Sequence, residues 1–321
     1  STARFKGVVN AVLRRLSDSP AAARLTEDAA ARQNTPPWLW DSWVAAYGEA
    51  AARAIAVQHL QEAPLDFTLR DQRAAAHWAE RLGAEILPGG TLRRAAGGRI
   101  EALPGFEEGA WWIQDVAATL PVRLLGDVAG RDVIDLCAAP GGKTMQLAAA
   151  GARVTAVDIS ARRLSRLSAN LQRTRLSATL VTADATRWRA QGTADAVLLD
   201  APCSATGTLR RHPDIARTKG PADVERLSAV QQRLLAAACD LLRPGGTLIY
   251  VVCSLQPSEG TEQVKAALGD GLPLAIVPMQ THELPGIEDA VVPSGAVQTW
   301  PSFWAARGGM DGFYIARLRR L

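Results

Sequence analysis

The chain has 321 residues, of which 48% are hydrophobic and 21% are charged, a balance typical of globular proteins. Its 36 Lys and Arg residues outnumber its 32 Asp and Glu residues, and the formal net charge of +4 is carried mostly by arginine. No apolar run approaches the roughly 18 residues that a membrane-spanning helix needs. We therefore expect a cytoplasmic protein that does not bind membranes and that acts as a monomer.

The first two segments of the chain read as helices and then as a small mixed module. Residues 1–33 open with "STARFKGVVNAVLRRL", whose apolar spacing is helical. In residues 34–125, a helix is predicted after a cap at Asn34 or Thr35, followed by the strand "PLDFTLR" and the helix "DQRAAAHWAERLG". A strand and loop in "RIEALPGFEEGAWWIQD" lead to the next domain. This pattern predicts a small α/β module.

Residues 126–321 alternate short apolar strands with helices. The strands are "RDVIDLC", "RVTAVD", "ATLVTAD", "ADAVLLD" and "TLIYVVC", and helical segments join them. Strands that are nearly all apolar and are joined by helices are typical of a parallel sheet covered on both faces. The pattern therefore predicts a doubly wound α/β domain with ligands at the carboxyl ends of its strands, and the final "GFYIARLRRL" predicts an antiparallel edge strand.

A glycine turn and two strand-end acids indicate a nucleoside site in this domain. Gly141 and Gly142 in "DLCAAPGGKT" let the backbone turn and approach a ligand, but the spacing is not that of a phosphate-binding loop. Asp158 ends the second strand, where an acid binds ribose hydroxyls, and Asp184 ends the third, where it can meet an adenine amino group. Such acids fit S-adenosylmethionine better than a dinucleotide; the alternative is that they only cap the following helices.

Three motifs carry a resemblance to a known family. In this order, "DLCAAPGGKT", "DAPCSATGTLRRHPDI" and "VVCSLQPSEG" resemble the RNA cytosine-5 methyltransferases of the Nop2/Sun family over roughly residues 35 to 320. The resemblance implies a Rossmann-type class I methyltransferase domain over residues 126–321, behind an RNA-binding module over residues 34–125. It also implies that residues 1–33 are the remnant of a truncated NusB-like helical domain.

The same resemblance implies which residues hold S-adenosylmethionine. They are Cys137, Ala138, Ala139, Pro140, Gly141, Gly142, Lys143, Asp158, Arg163, Asp184 and Asp200. It further implies an RNA substrate, one cytosine of 16S ribosomal RNA, with a tRNA or another ribosomal RNA site as the alternative.

Methylation at carbon 5 of cytosine requires a nucleophile and a group that releases the adduct, and two cysteines are candidates for these roles. Carbon 5 of cytosine is a poor nucleophile, and a thiolate that adds to carbon 6 activates it. By resemblance, Cys253 is that nucleophile, Cys203 assists release of the adduct, and Asp200 binds the N3 and amino edge while Lys143 reaches the base. Cys239, on an apolar helix face, is predicted to be a core residue.

Further residues and rival functions remain open at this stage. The four cysteines lack paired spacing, which predicts reduced thiols and no metal site. The arginines considered as phosphate contacts, each with a solvated surface role as the alternative, are Arg14, Arg15, Arg93, Arg94, Arg99, Arg210 and Arg211. A DNA cytosine-5 methyltransferase would use Cys203 as nucleophile, an amino-methyltransferase would have a DPPY-type motif, and a non-catalytic RNA-binding factor would lack an acid or a thiol.

Overall fold

The computed structural model describes residues 5–18 and 26–321 of the chain. Its first helices are α1 (Lys6–Ser17), α2 (Glu27–Asn34), α3 (Pro37–Tyr47) and α4 (Glu49–Gln58). The predicted cap at Asn34 or Thr35 is wrong, because Asn34 ends α2 and α3 follows Pro36 without a side-chain cap. Gly48, with φ of +82°, separates α3 from α4 where the sequence pattern predicts one helix.

A small antiparallel sheet follows these helices. Its strand order is β2-β3-β1-β4, and one helix, α5, packs against it. The elements are β1 (Leu65–Leu69), α5 (Ala75–Leu82), β2 (Glu85–Ile86), β3 (Leu92–Arg94) and β4 (Trp111–Ile113). Phe67 and Trp111 meet edge to face in the core of this module, with ring centroids 4.8 Å apart. The short β2 and β3 lie in "EILPGGTLRR", where the sequence predicts no strand.

A larger sheet of eight strands occupies the rest of the chain. Seven strands lie in the order β10-β12-β9-β8-β5-β6-β7, and β11 pairs with β12. The bounds are β5 (Asp132–Leu136), β6 (Arg153–Asp158), β7 (Thr179–Thr182), β8 (Ala194–Asp200), β9 (Leu242–Val252), β10 (Leu274–Ile276), β11 (Val297–Gln298) and β12 (Tyr314–Arg320). The run from β9 to β7 is parallel, which confirms the predicted Rossmann-type sheet. β12 is antiparallel as predicted but is not an edge strand, since β10 lies outside it.

Helices cover both faces of this sheet. They are α6 (Val116–Leu125), α7 (Gly142–Ala149), α8 (Ala161–Thr174), α10 (Pro221–Leu241) and α11 (Thr261–Gly269), whereas the short α9 (Ile215–Thr218) packs against α3 and α4. One face packs Leu235 of α10 and Val264 of α11, and the other packs Leu120 of α6 and Leu147 of α7. Within residues 5–18 and 26–321, no helix is long and apolar enough to cross a membrane.

The strand order determines where the functional loops meet. β5 lies between β6 and β8: the chain continues from β5 through β6 to β7 on one side and then returns to place β8 and β9 on the other side. Such a reversal opens a crevice at the carboxyl ends of the strands. The loops after β5, β6, β8 and β9 all begin at that edge of the sheet.

Candidate active site

The turn between β5 and α7 is shaped by glycine and by one strained residue. Cys137 has φ of +61° and Gly141 has φ of +107°, both in the left-handed region. A Cβ atom on Gly141 would lie 2.0 Å from Cδ1 of Leu167 in α8. Any other residue would therefore be strained at this φ and would displace the Leu167 side chain. Burial raises the pKa of the Cys137 thiol.

Asp158 and Arg163 converge on the same turn. The Asp158 carboxylate accepts hydrogen bonds from the backbone N–H of Ala139, at 3.1 Å, and from that of Ser160, at 2.9 Å. The guanidinium of Arg163 lies 3.3 Å from Asp158 and also donates to the carbonyl of Ala139. The structure thus brings together three predicted cofactor residues, and Asp158 braces the turn rather than capping α8, whose cap is Ser160.

Asp184 lies after β7, one strand further along the sheet. One of its carboxylate oxygens accepts from the hydroxyl of Thr186, at 2.7 Å, and from the backbone N–H of that residue, at 2.9 Å. These bonds hold the pKa of Asp184 below its usual value. No hydrogen bond joins Asp184 to the glycine turn among the described residues, so its contact with adenine stays a prediction.

Lys143 and Asp200 form an ion pair beside the turn. The Lys143 ammonium lies 2.8 Å from Oδ2 of Asp200, and the two side chains are 9% and 33% exposed. Burial lowers the pKa of Lys143, but the charge of Asp200 and the hydrogen bond to it outweigh burial, so the pKa lies above its usual value. The ring of Phe313 lies 5.4 Å from Nζ. The lysine therefore presents a fixed positive charge at the strand ends.

The thiols of Cys203 and Cys253 are in contact, with their Sγ atoms 3.5 Å apart. Cys253 directly follows β9 and Cys203 lies just after β8, the parallel neighbour of β9. The hydrogen bond shared with Cys253, together with burial, raises the pKa of Cys203 well above its usual value. The two sulfur atoms are thus close enough to share one hydrogen bond, in which either thiol can be the donor.

The loop after Cys203 is locked against the loop after Cys253. The backbone N–H of Gly207 donates to the carbonyl of Cys253, at 3.0 Å. A Cβ atom on Gly207 would lie 1.9 Å from the carbonyl oxygen of Gly312. Glycine is therefore required at 207 for the Cys203 loop to pack against the segment before β12.

One buried acid near the site has no role in the sequence-based assignment. Asp135, inside β5, is fully buried and accepts a 2.5 Å hydrogen bond from Thr144, while its other oxygen, Oδ1, has no partner. Burial raises the pKa of this carboxyl group to about 7. The sequence offered one signal for this residue, because Asp135 is an acid inside the otherwise apolar run "VIDLC".

Two arginines predicted as possible phosphate contacts are buried instead. Arg210 is 1% exposed in its side chain and pairs with Asp115, at 2.5 Å, and with Asp311, at 3.1 Å. Arg93 forms a buried two-point ion pair with Asp66, at 2.6 and 2.7 Å. Both guanidinium groups are buried and paired with carboxylates of the protein, so the prediction that they contact phosphates is wrong. Arg210 joins the Cys203 loop to the start of α6 and to the segment before β12. Arg93 joins β3 to the same segment by donating to the carbonyl of Gly309.

The fourth cysteine lies away from the site. Cys239 is buried in the core between the sheet and α10, as predicted. Among residues 5–18 and 26–321, no three His, Cys, Asp or Glu side chains are grouped so that they could hold a metal ion.

Comparison with known proteins agrees with this geometry. A family model described as 16S rRNA methyltransferase RsmB/F matches residues 122–319. A ribosomal RNA small subunit methyltransferase B from Cronobacter sakazakii is 34% identical over 98% of this chain and 73% of the relative. One of the same description from Pseudomonas putida is 36% identical, over 98% and 74%. A crystal structure of a methyltransferase homologue from Pyrococcus horikoshii has a TM-score of 0.74 at 25% identity, covering 94% of this chain and all of that one.

The doubly wound sheet with a glycine turn after its first strand defines an S-adenosylmethionine-dependent methyltransferase of the Rossmann type. Within that class, the chain belongs to the 16S rRNA methyltransferase RsmB/F family.

Proposed function

We propose that this protein methylates carbon 5 of a cytosine in 16S ribosomal RNA through a covalent bond between Cys253 and carbon 6. The observation that carries the proposal is the contact of two thiols, 3.5 Å apart, beside the ion pair of Lys143 and Asp200. A single cysteine would suffice for attack alone, whereas a second one meets the need to release the adduct. The description of the relatives as small subunit methyltransferases supports the choice of RNA.

The cofactor site is proposed at the glycine turn, residues 137–143, with Asp158, Arg163, Asp184 and Asp200. S-adenosylmethionine, when bound, supplies the methyl group that carbon 5 takes. The donor set fits the cofactor, because carboxylates accept hydrogen bonds from ribose hydroxyls and balance a positive charge. The Oδ1 atom of the buried Asp135 has no hydrogen-bond partner in the protein and is a further polar group at this strand end.

The first chemical step belongs to Cys253. Its thiolate adds to carbon 6, the electron pair of the C5=C6 bond forms a C4=C5 bond, and the pair of the C4=N3 bond moves onto N3. N3 takes a proton from solvent, which Asp200 stabilises by accepting a hydrogen bond from it, and this proton returns to solvent once carbon 5 has taken the methyl group. Lys143 holds Asp200 in place through their 2.8 Å contact and adds positive charge beside Cys253. Carbon 5 thereby becomes a nucleophile.

The last step belongs to Cys203. The hydrogen bond with Cys253 is the largest cause of the raised pKa of Cys203, and it is lost when the sulfur of Cys253 is bonded to carbon 6, so Cys203 ionises more readily in the adduct. After losing its own proton to solvent, Cys203 takes the proton from the methylated carbon 5. The electron pair of that C–H bond restores the C5=C6 double bond and expels the sulfur of Cys253. The overall reaction releases one proton and leaves both cysteines free.

The reacting atom can be tested with 16S RNA transcripts that carry tritium on carbon 5 of cytosine. Methylation at carbon 5 must release tritium in a 1:1 ratio with methyl transfer, and Cys253→Ala must release none. Methyl transfer without tritium release would contradict the proposal. Parallel reactions on tRNA and on 23S ribosomal RNA separate the alternative substrates, since release from one of these alone would overturn the assignment to 16S RNA.

A further inference from the structure

A fully buried glutamate lies beneath the two cysteine loops. Glu259 ends a short 3-10 turn, Pro257–Glu259, between Cys253 and α11. A carboxyl group in such a place is costly unless its oxygens are satisfied, because burial removes the water that would solvate it. Its neighbours therefore indicate what the side chain is for.

Four donors converge on the two oxygens of Glu259. Oε1 accepts from the backbone N–H of Ser204, at 2.8 Å, and from the amide of Gln231, at 3.3 Å. Oε2 accepts from the hydroxyl of Ser254, at 2.6 Å, and from the hydroxyl of Ser204. These four bonds fill the acceptor positions of a carboxylate, which is the side-chain group that accepts everywhere and donates nowhere.

The donors belong to both cysteine loops. Ser204 directly follows Cys203, and Ser254 directly follows Cys253. The two serine hydroxyls also lie 3.1 Å from each other. One carboxylate thus ties together the two backbone segments that carry the thiols.

The bonding extends into the backbone on the Cys253 side. The hydroxyl of Ser254 accepts from the backbone N–H of Gln256, at 3.0 Å, and Thr206 lies within 3.2 Å of the same hydroxyl. Thr206 in turn accepts from the backbone N–H of Leu255, at 3.0 Å. Each of these links runs toward the carboxylate of Glu259, so its loss would free the turn after β9 as well as the loop after β8.

We propose that Glu259 is the positioning residue that sets the separation of the Cys203 and Cys253 thiols. It touches neither the base nor the cofactor in this scheme, and it acts by pinning the residue after each cysteine. The consequence for methylation rests on the function proposed above, whereas the consequence for the spacing of the thiols does not. This difference allows the two ideas to be tested separately.

The substitution Glu259→Gln isolates the role of the carboxylate. An amide of the same size turns one accepting oxygen into a donor, and that donor then faces groups that themselves donate. Ser254→Ala is a milder variant, since it removes a single link to the carboxylate and leaves the charge in place. Glu262→Gln, on the exposed face of α11, is the matched control.

Thiol spacing can be measured without RNA by using dibromobimane, which becomes fluorescent when it bridges two neighbouring thiols. Wild type and Glu262→Gln should bridge equally, and Cys203→Ala should not bridge. In Glu259→Gln and Ser254→Ala, verified as folded by circular dichroism, the rate of bridging should fall severalfold. Wild-type rates in both folded variants would overturn the proposal, and if Glu259→Gln does not fold, Ser254→Ala decides.

Methylation kinetics supply the second measurement. A misplacement of about 1 Å in reacting groups costs about 100-fold in rate, so kcat of Glu259→Gln should fall to that extent while KM for RNA and for S-adenosylmethionine stays constant. An unchanged kcat would show that Glu259 serves folding alone. If the bridging rate falls in the variants but wild type methylates no RNA, the positioning role stands and the proposed function fails.

Discussion

The ammonium group of Lys143 lies 2.8 Å from the carboxylate of Asp200, although the two residues are 57 positions apart in the chain. Lys143 lies in the first turn of α7 and Asp200 ends β8. The pair therefore joins the proposed cofactor turn to the proposed base site, and each partner controls the electrostatic environment of the other.

Removing the charge of Asp200 should harm both stability and catalysis. Asp200→Asn leaves the nearly buried ammonium of Lys143 without its partner, so the free energy of unfolding should fall by about 3 kcal/mol. Lys143→Met should cost less, because Asp200 is one third exposed and can be solvated by water. Urea unfolding of both single variants and of the double variant measures this. Strictly additive losses would contradict a direct interaction between the two side chains.

Arg210 should support the fold and should contribute nothing to phosphate binding. Arg210→Met leaves Asp115 without its arginine in the protein interior, which should lower the free energy of unfolding by about 3 to 5 kcal/mol. Arg226→Ala, which breaks an exposed pair with Asp223, should cost about 0.5 kcal/mol.

The salt dependence of RNA affinity distinguishes the two roles of Arg210. Each phosphate contact contributes to the slope of log affinity against log salt concentration. With Arg210→Met kept at a temperature where it is folded, that slope should equal the wild-type slope. A slope smaller by about one unit would restore the phosphate contact expected from the sequence.

Asp135 should make the stability of the cofactor-free protein depend on pH. Its pKa is about 7 in the folded protein, above the value of about 3.9 in an unfolded chain. Between these values the folded state holds a proton that the unfolded state has lost, so this contribution to stability is complete below pH 4 and is lost as the pH rises through 7. The loss should approach about 1.4 kcal/mol per pH unit within the window.

Asp135→Asn removes this titration and keeps an acceptor for Thr144. Its free energy of unfolding, measured in urea at pH 5, 6 and 7, should gain steadily on that of wild type as the pH rises. Parallel curves for the two proteins would show that Asp135 is already ionised in the folded state and would contradict the prediction.

The parallel sheet was predictable because its strands are fully buried. Strands such as β8 and the second half of β9 are buried almost throughout and read as nearly continuous apolar runs, which are typical of a sheet covered on both faces. β2 and β3 were missed because they span two and three residues, too few to display a period. β12 reads as an edge strand because its apolar and polar residues alternate, and its outer neighbour β10 has only three residues.

The candidate site was predictable only in part. Lys143, Asp200, Cys203 and Cys253 lie in motifs at strand ends, where chain order alone brings them together. The buried ion pairs of Arg93 and Arg210 depend on partners 27 to 101 positions away, and their burial comes from tertiary packing rather than from local pattern. Exposed and buried arginines look alike in a sequence, so the phosphate expectation failed there.

The proposed roles of the two thiols can be separated on one denaturing gel. Wild type, Cys203→Ala and Cys253→Ala are each incubated with unmethylated 16S RNA and labelled S-adenosylmethionine, and protein that migrates with RNA is quantified. The two-cysteine mechanism predicts that Cys203→Ala accumulates a covalent RNA adduct, whereas Cys253→Ala forms neither adduct nor methylated RNA. Methylation by Cys253→Ala, or an adduct that forms in this variant through Cys203, would contradict it.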